Sequence, residues 1–179
     1  MTEASLSDPP RPDLEQHPDW VCREPRSEPG TPGDPIEHKT RGTYLDITGG
    51  YREVVLTRLR ELAESGADGF NFDERHLPPD GCWGSALEAA WIAEKGVDAP
   101  TKESDPRYLE FLDFKARKIE DTFLFWRDRV KAEYPNVVFA VSTAIFSETA
   151  TRWTSAGALR SLTELGKAAR NPVGDRSGW

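Results

Sequence analysis

The sequence predicts an α/β fold built on a parallel sheet, with an irregular N-terminal arm. Short β-prone runs alternate with helical patterns from Thr43 onward, which is the order of elements in parallel α/β folds. The runs are almost continuously apolar, as strands buried on both faces are. Eight of the 14 prolines lie before Thr40, so the N-terminal part departs from this pattern.

The arm, residues 1–40, combines these prolines with many charges and few aliphatic side chains. Proline lacks the backbone N–H that helices and sheets require, so this composition predicts irregular structure. One short apolar group, Trp20 and Val21 in "HPDWV", is suited to dock as an active-site loop.

The first strand–helix–strand unit follows. "TYLDITGG" is a short β-prone run closed by two glycines. "YREVVLTRLRELAESG" places Val55, Leu59 and Leu62 on one helical face and ends at Gly66. "ADGFNFDE" is the second run. Two strands and a helix within about thirty residues predict a βαβ unit with parallel neighbouring strands.

The second half predicts two helices and a third strand. "GSALEAAWIAEKG" is typical of a short helix, and a long one begins at Asp105-Pro106, a capping residue followed by proline. "EYPNVVFAVSTAIFS" is the third strand, "SAGALRSLTELGKAAR" a final helix. The long helix should bury a stripe at steps of four and three: Tyr108, Leu112, Ala116, Ile119, Phe123, Trp126 and Val130.

Three strands do not complete a closed (β/α)₈ barrel, which takes about 250 residues. The chain is therefore expected to be a partial barrel, a truncated product or a small open α/β domain. In this organisation, residues 1–40 are the arm and possible substrate loop, residues 41–170 the partial (β/α) barrel domain, and residues 171–179 a polar tail.

Composition excludes several classes of protein. The net charge of −8 repels phosphate backbones, which argues against a nucleic-acid partner. No apolar run approaches the ~20 residues needed to span a membrane, and no signal peptide is recognisable, so we expect a cytoplasmic protein without membrane contact. Cys22 and Cys82, the only cysteines, are too few and too far apart in sequence for a zinc motif or a redox pair of the C-x-x-C kind, and we expect reduced, structurally minor thiols.

Charged and polar side chains follow the predicted strands at their carboxyl ends. Asp46 ends the first run, Asp73 and Glu74 end the second, and Ser142 and Thr143 lie near the end of the third. In parallel α/β folds the functional loops gather at this edge of the sheet. We therefore expect these residues to line one rim that faces a substrate.

A family resemblance gives this rim a chemistry. "GADGFNFDERH", residues 66–76, resembles the fourth-strand segment of retaining α-glycosidases on TIM barrels, especially the α-amylase type. With "HPDWV" at 17–21, the run 44–84 and "FWRDRVKAEYPNVVFAVST" at 125–143, the chain is similar to bacterial glycoside-hydrolase barrels. Their central strands read Tyr-Leu-Asp and Asp-Gly-Phe-x-Phe-Asp-Glu. The likeness spans residues 17–145 and implies the middle strands of a barrel, with the first and last strands absent.

The resemblance implies hydrolysis of O-glycosidic bonds in a carbohydrate by carboxylate catalysis, without a cofactor. Asp73 takes the position of the nucleophile, and Asp46 that of the preceding-strand carboxylate that positions a sugar hydroxyl. Asn71 stands where the amylase pattern has an arginine, so the likeness is to the broader barrel family. Glycosidases need a second carboxyl group as the acid. Glu148, beyond the third strand, is suitably spaced, whereas Glu74 should point away from Asp73 and is expected among the substrate-binding residues.

Further substrate contacts are expected from aromatic side chains, because the C–H groups of pyranose faces pack on rings. Trp20, Trp83 and Trp153 fall in predicted rim loops. Each is a candidate sugar platform, or alternatively a loop anchor. His76 either binds a sugar hydroxyl or caps its loop.

Three other interpretations remain open. "GFNFDE" resembles a Walker B strand, but the phosphate-binding G-x-x-x-x-G-K-[ST] loop is missing from the chain, which disfavours nucleotide hydrolysis. A hard-metal site is conceivable, although its spacing is not a recognised motif and no metal is expected; its ligands would be Asp46, Asp73, Glu74 and His76. Finally, a truncated or inactive glycosidase-like fragment would bind carbohydrate or self-associate through unpaired sheet edges as a homo-oligomer.

Overall fold

The computed structural model of the protein describes residues 11–28, 31–38, 42–73 and 82–142. They form a mixed α/β arrangement with four α-helices, a 3-10 turn and two small sheets. The elements, in chain order, are α1 (Arg11–Gln16), the 3-10 turn (Pro18–Trp20), β1 (Glu37–His38), β2 (Gly42–Thr43), α2 (Tyr51–Glu64), β3 (Gly69–Asp73), α3 (Ser85–Lys95), α4 (Tyr108–Glu133) and β4 (Val138–Ser142).

A two-stranded parallel sheet joins β3 and β4. Their register begins with Gly69 opposite Val138 and ends with Asp73 opposite Ser142. The chain between them contains α3 and α4, the helical crossover that parallel neighbours require. The predicted parallel pairing of the apolar runs is thus confirmed for the second and third of them, and no closed barrel is present in the described ranges.

The first predicted strand pairs differently from the expectation. Leu45 forms an antiparallel bridge with Val21 of the arm, and the described residues show no ladder between this run and β3. The backbone N–H of Asp46 donates to the carbonyl of Trp20 at 2.7 Å, and that of Cys22 donates to Tyr44 at 2.9 Å. The prediction of a parallel βαβ unit over residues 43–73 was therefore wrong for its first strand, because the arm occupies that run's backbone groups.

The arm itself is more regular than its composition predicts. β1 and β2 pair antiparallel, and Arg23 forms an isolated bridge with Pro35. The guanidinium of Arg26 lies 3.7 Å from Glu88 of α3 and 3.5 Å from Asp98. Proline is tolerated here because the pairings are short and each needs few N–H donors. The expectation of an irregular arm is corrected for these described residues.

Two groups of buried side chains form the core. The first joins α2, β3, β4 and the second half of α4, and the indole N–H of Trp126 donates to the carbonyl of Arg52 at 2.8 Å within it. The second joins α3, the first half of α4, the arm at Cys22, and two loop segments at Cys82–Trp83 and at Ala99. Its buried members are Cys22, Cys82, Trp83, Leu87, Trp91, Ala99, Phe111 and Phe114.

The buried face of α4 changes along the helix. Trp126 and Val130 are buried as predicted, but in the first half the fully buried residues are Phe111, Phe114 and Lys115. The first half of α4 packs on α3, and the second half packs on α2. A single stripe cannot describe a helix with two different neighbours. Within the ranges that the structure describes, no helix combines the length and apolar character needed to cross a membrane.

Candidate functional site

Asp46 is the one predicted rim carboxyl group whose side chain the structure describes. Its backbone is fixed by the bond to Trp20, and the chain then turns through two glycines into α2, which begins at Tyr51. The sequence Asp46-Ile-Thr48 makes this turn by itself, because a short acidic side chain can accept a hydrogen bond from the residue two positions on. Hydrogen bonds within its own turn are thus sufficient to hold the Asp46 side chain just before α2.

The carboxyl group of Asp46 is almost completely buried, with 1% of the residue exposed. Its Oδ1 accepts two hydrogen bonds from Thr48, one from the backbone N–H at 2.9 Å and one from the hydroxyl at 2.6 Å. Its Oδ2 is also buried and has no hydrogen-bond partner in the described part of the chain. One oxygen is satisfied locally, and the other faces the protein interior.

Gly84 lies directly against that second oxygen. A Cβ atom on Gly84 would overlap Asp46 Oδ2 and would lie 2.8 Å from Cγ. The neighbouring Trp83 donates its backbone N–H to the carbonyl of Arg23 at 3.0 Å, which fixes the segment against the arm. Absence of a side chain at position 84 is therefore a condition for burying the Asp46 carboxyl here.

Burial raises the pKa of Asp46 above its ordinary value of 3.8, and the negative charge of Asp19 adds to the effect. The two hydrogen bonds from Thr48 act in the opposite direction because they stabilise the ionised form. Burial is the largest of these influences, so Asp46 keeps its proton to a higher pH than a solvated aspartic acid. A carboxyl of this kind is suited to donate a proton or a hydrogen bond.

Trp20 and Asp19 border this carboxyl on the arm side. The ring of Trp20 is half-buried and stacks on His17, with centroids 3.9 Å apart and planes 3° from parallel. A Cβ on Gly50 would lie 3.0 Å from the Trp20 indole nitrogen and 3.5 Å from Asp19 Oδ2. The arm therefore brings an exposed acidic side chain and an aromatic ring to the turn that carries Asp46.

Trp83 is buried more deeply than a tryptophan whose ring packs against a bound sugar would be. It is 4% exposed, and its indole N–H donates to the carbonyl of Pro100 at 3.0 Å. The Lys115 ammonium nitrogen lies 3.6 Å from the centroid of its ring, and Phe111 packs against it at 6.0 Å. These contacts fit the loop-anchor interpretation, and they make Trp83 the link between the arm, α4 and the Gly84 segment.

Asp73 is the last residue of β3 and the register partner of Ser142, the last residue of β4. Both strand ends therefore lie at the same edge of the sheet, as predicted. The side chain of Asp73 lies outside the described part of the chain, as do Glu74, His76, Thr143, Glu148 and Trp153 entirely. Among the described residues, no group of three His, Cys, Asp or Glu side chains could hold a metal ion.

Three features of this region escaped the sequence interpretation. Asp19 is not among the predicted site residues, although it directly precedes Trp20 in "HPDWV". Thr48 carries a readable signal, since Asp-x-Thr is a typical Asx turn. The contact between Cys22 and Cys82 has no local signal, because it depends on how the arm folds back. No protein-family model matches the chain, and no curated protein matches it.

Proposed function

We propose that the chain is a glycoside hydrolase-like catalytic module on part of a (β/α)₈ barrel, with Asp73 as its nucleophile. The observation that carries the proposal is the parallel register in which Asp73 ends β3 beside Ser142 at the end of β4. In parallel α/β folds, catalytic residues stand at the carboxyl ends of strands. Asp73 also lies within residues 44–84, where the resemblance to such enzymes is strongest.

In the proposed reaction, the Asp73 carboxylate attacks the anomeric carbon while a second carboxylic acid protonates the departing glycosidic oxygen. Glu148 is our candidate for that acid. Water then hydrolyses the glycosyl–Asp73 ester and regenerates the carboxylate, a route that retains configuration and requires the two carboxyl groups about 5 Å apart. In an inverting enzyme Asp73 would instead activate the attacking water, and the separation would be larger. Glu74 and His76, which follow Asp73 in the chain, would contact the hydroxyl groups of the substrate.

Asp46 has a positioning role in this proposal. Its carboxyl is buried and bonded to Thr48, so it fits a residue that holds the rim loops better than one that contacts sugar directly. It fixes the turn into α2 on one side and the Gly84 segment on the other. Trp20 would supply the aromatic surface for a pyranose ring, because it is half-buried and belongs to the arm at the same turn.

The test is a screen of the purified full chain against aryl α- and β-glycosides. Asp73→Asn should lower kcat by roughly 10⁴-fold or more, because a nucleophile is removed. Asp68→Asn is the matched control, because Asp68 directly precedes β3 at the end opposite Asp73. The backbone carbonyl of Asp68 accepts a hydrogen bond from the backbone N–H of Val138 at 3.0 Å, and the substitution leaves this bond in place. It should keep wild-type activity.

The outcomes separate clearly when circular dichroism spectra are recorded for each variant. Activity in the wild type and in Asp68→Asn, with a folded but inactive Asp73→Asn, supports the proposal. A folded wild type with no activity on any aryl glycoside would contradict it. Loss of the fold in Asp73→Asn would show that Asp73 is a structural residue.

The described sheet supports a second candidate, a carbohydrate-binding or self-associating module without catalysis. β4 begins with Val138, whose residue surface is 47% exposed, and β3 and β4 are the only strands of their sheet in the described residues. Open strand edges favour association with a second chain. Light scattering coupled to size exclusion distinguishes the candidates: an inactive dimer favours this one, and an active monomer favours the glycosidase.

A further inference from the structure

Two cysteines that are 60 positions apart, Cys22 and Cys82, meet inside the second core group. The backbone N–H of Trp83 donates to the carbonyl of Arg23 at 3.0 Å. Cys82 and Cys22 directly precede these two residues, so this hydrogen bond brings their backbones close together. Both side chains belong to the same group of packed, buried residues, together with Trp83 and Leu87. Both thiols are free in this structure.

The surroundings of Cys22 disfavour its thiolate form. Burial raises the pKa of the Cys22 thiol, the contact with Cys82 and the charge of Asp46 raise it further, and the charge of Lys115 lowers it. A protonated thiol is a poor nucleophile. Exposure differs between the two, with 9% for Cys82 and 1% for Cys22, so a reagent from solvent reaches Cys82 first.

We propose that Cys22 and Cys82 are an oxidisable dithiol that closes into an intramolecular disulfide by exchange with a low-molecular-weight disulfide such as oxidised glutathione. The Cys82 thiolate attacks one sulfur of the reagent, which releases one small thiolate and leaves a mixed disulfide on Cys82. Cys22 then gives its proton to the small thiolate that left in the first step, attacks the Cys82 sulfur as a thiolate, and displaces the second small thiol. Two electrons and two protons pass from the cysteines to the reagent.

The disulfide would have a structural consequence at the neighbouring carboxyl. It would tie the arm strand that bonds to Asp46 to the segment that carries Gly84, which lies against the same side chain. Closing a loop of this length restricts the unfolded chain and stabilises the folded one. The inference does not depend on the glycosidase proposal, since it uses only contacts within the arm and the Cys82–Gly84 segment.

The experiment treats the folded full chain with oxidised glutathione and counts free thiols, with peptide mapping under non-reducing conditions. We expect loss of both thiols, a mass lower by two hydrogens, and one cross-linked peptide that contains Cys22 and Cys82. The melting temperature should rise by roughly 5–10 °C and return to its starting value after reduction.

Single variants resolve the order of the two steps. Cys22→Ala should stop at a stable glutathione adduct on Cys82, because the resolving thiol is missing. Cys82→Ala should gain little or no adduct, because Cys22 is buried. The wild-type thiol count alone decides the proposal if either variant fails to fold. Two thiols that remain reduced in the folded wild type, or a cross-link only between separate chains, would overturn it.

Discussion

The Oδ2 atom of Asp46 lies against the α-carbon of Gly84, so closely that a methyl group on Gly84 would overlap the carboxylate. The two residues come from different segments: one precedes α2 and the other precedes α3. Their contact shows that the turn into α2 and the segment that precedes α3 are fitted to each other.

Gly84→Ala should lower the free energy of unfolding by about 1–3 kcal/mol, which is the usual cost of overpacking a core. The backbone itself would accept alanine, since Gly84 has φ −65° and ψ 152°. The cost should therefore shrink when Asp46→Ala removes the carboxyl group. Urea unfolding of the wild type, both single variants and the double variant measures this coupling. Strictly additive costs would show that the contact carries no energy.

Asp46→Asn should change how stability depends on pH. The folded-state pKa of Asp46 is raised above the ordinary 3.8, so the folded protein binds this proton more tightly than the unfolded chain does. Wild-type stability should consequently fall relative to Asp46→Asn as the pH rises from about 4 through the folded-state pKa. Unfolding midpoints at pH 4 and pH 7 test this. A difference between the two proteins that is the same at both values would contradict it.

Thr48→Val should cost about 1–2 kcal/mol at pH 7, because Asp46 Oδ1 loses its hydroxyl donor while the shape of the side chain is kept. The backbone bond from residue 48 remains. Thr57→Val is the control: its hydroxyl donates to the carbonyl of Glu53 on the exposed side of α2, and its loss should change stability by no more than about 0.5 kcal/mol. Denaturant titrations that give equal costs for the two variants would refute a special role for Thr48.

Trp126→Phe should destabilise the protein by about 2–4 kcal/mol. The substitution removes the hydrogen bond to the carbonyl of Arg52 and shrinks a ring that is 1% exposed and stacks on Phe72 at 5.4 Å. Leu109→Ala on the same helix is the control, since Leu109 is 63% exposed and should be nearly neutral. Unfolding followed by circular dichroism checks both. A loss below 1 kcal/mol for Trp126→Phe would mean that α2 and α4 repack without it.

Local patterns in the sequence predicted the elements well. The helical spacing of Val55 and Leu59 gave α2, which ends before Gly66 as expected, and the apolar runs gave β3 and β4. These elements are specified by their own periodicity, which depends on neighbours within one or two turns. The prediction that β3 and β4 belong to a parallel sheet followed from the helices between them.

Partners in space could not be predicted in the same way. The pairing of Leu45 with Val21, and the packing of Lys115 over the ring of Trp83, depend on how distant segments fold together. No periodicity encodes such choices, because a β-prone run offers identical backbone groups to any strand. The burial of Asp46 is a further example, since a carboxylate at a strand end is normally expected to face solvent.

The parallel register also leads to an expectation about the order in which the molecule folds. β3 and β4 pair residues 69 positions apart, from Gly69 and Val138 onward, so their ladder cannot form until both ends of a long chain segment have met. Closing such a loop costs entropy before any strand contact compensates for it, and proteins rich in distant contacts fold slowly. On a ribosome, β3 emerges well before its neighbour is synthesised. We therefore expect the helices to form early and the sheet to close last, after translation has passed Ser142.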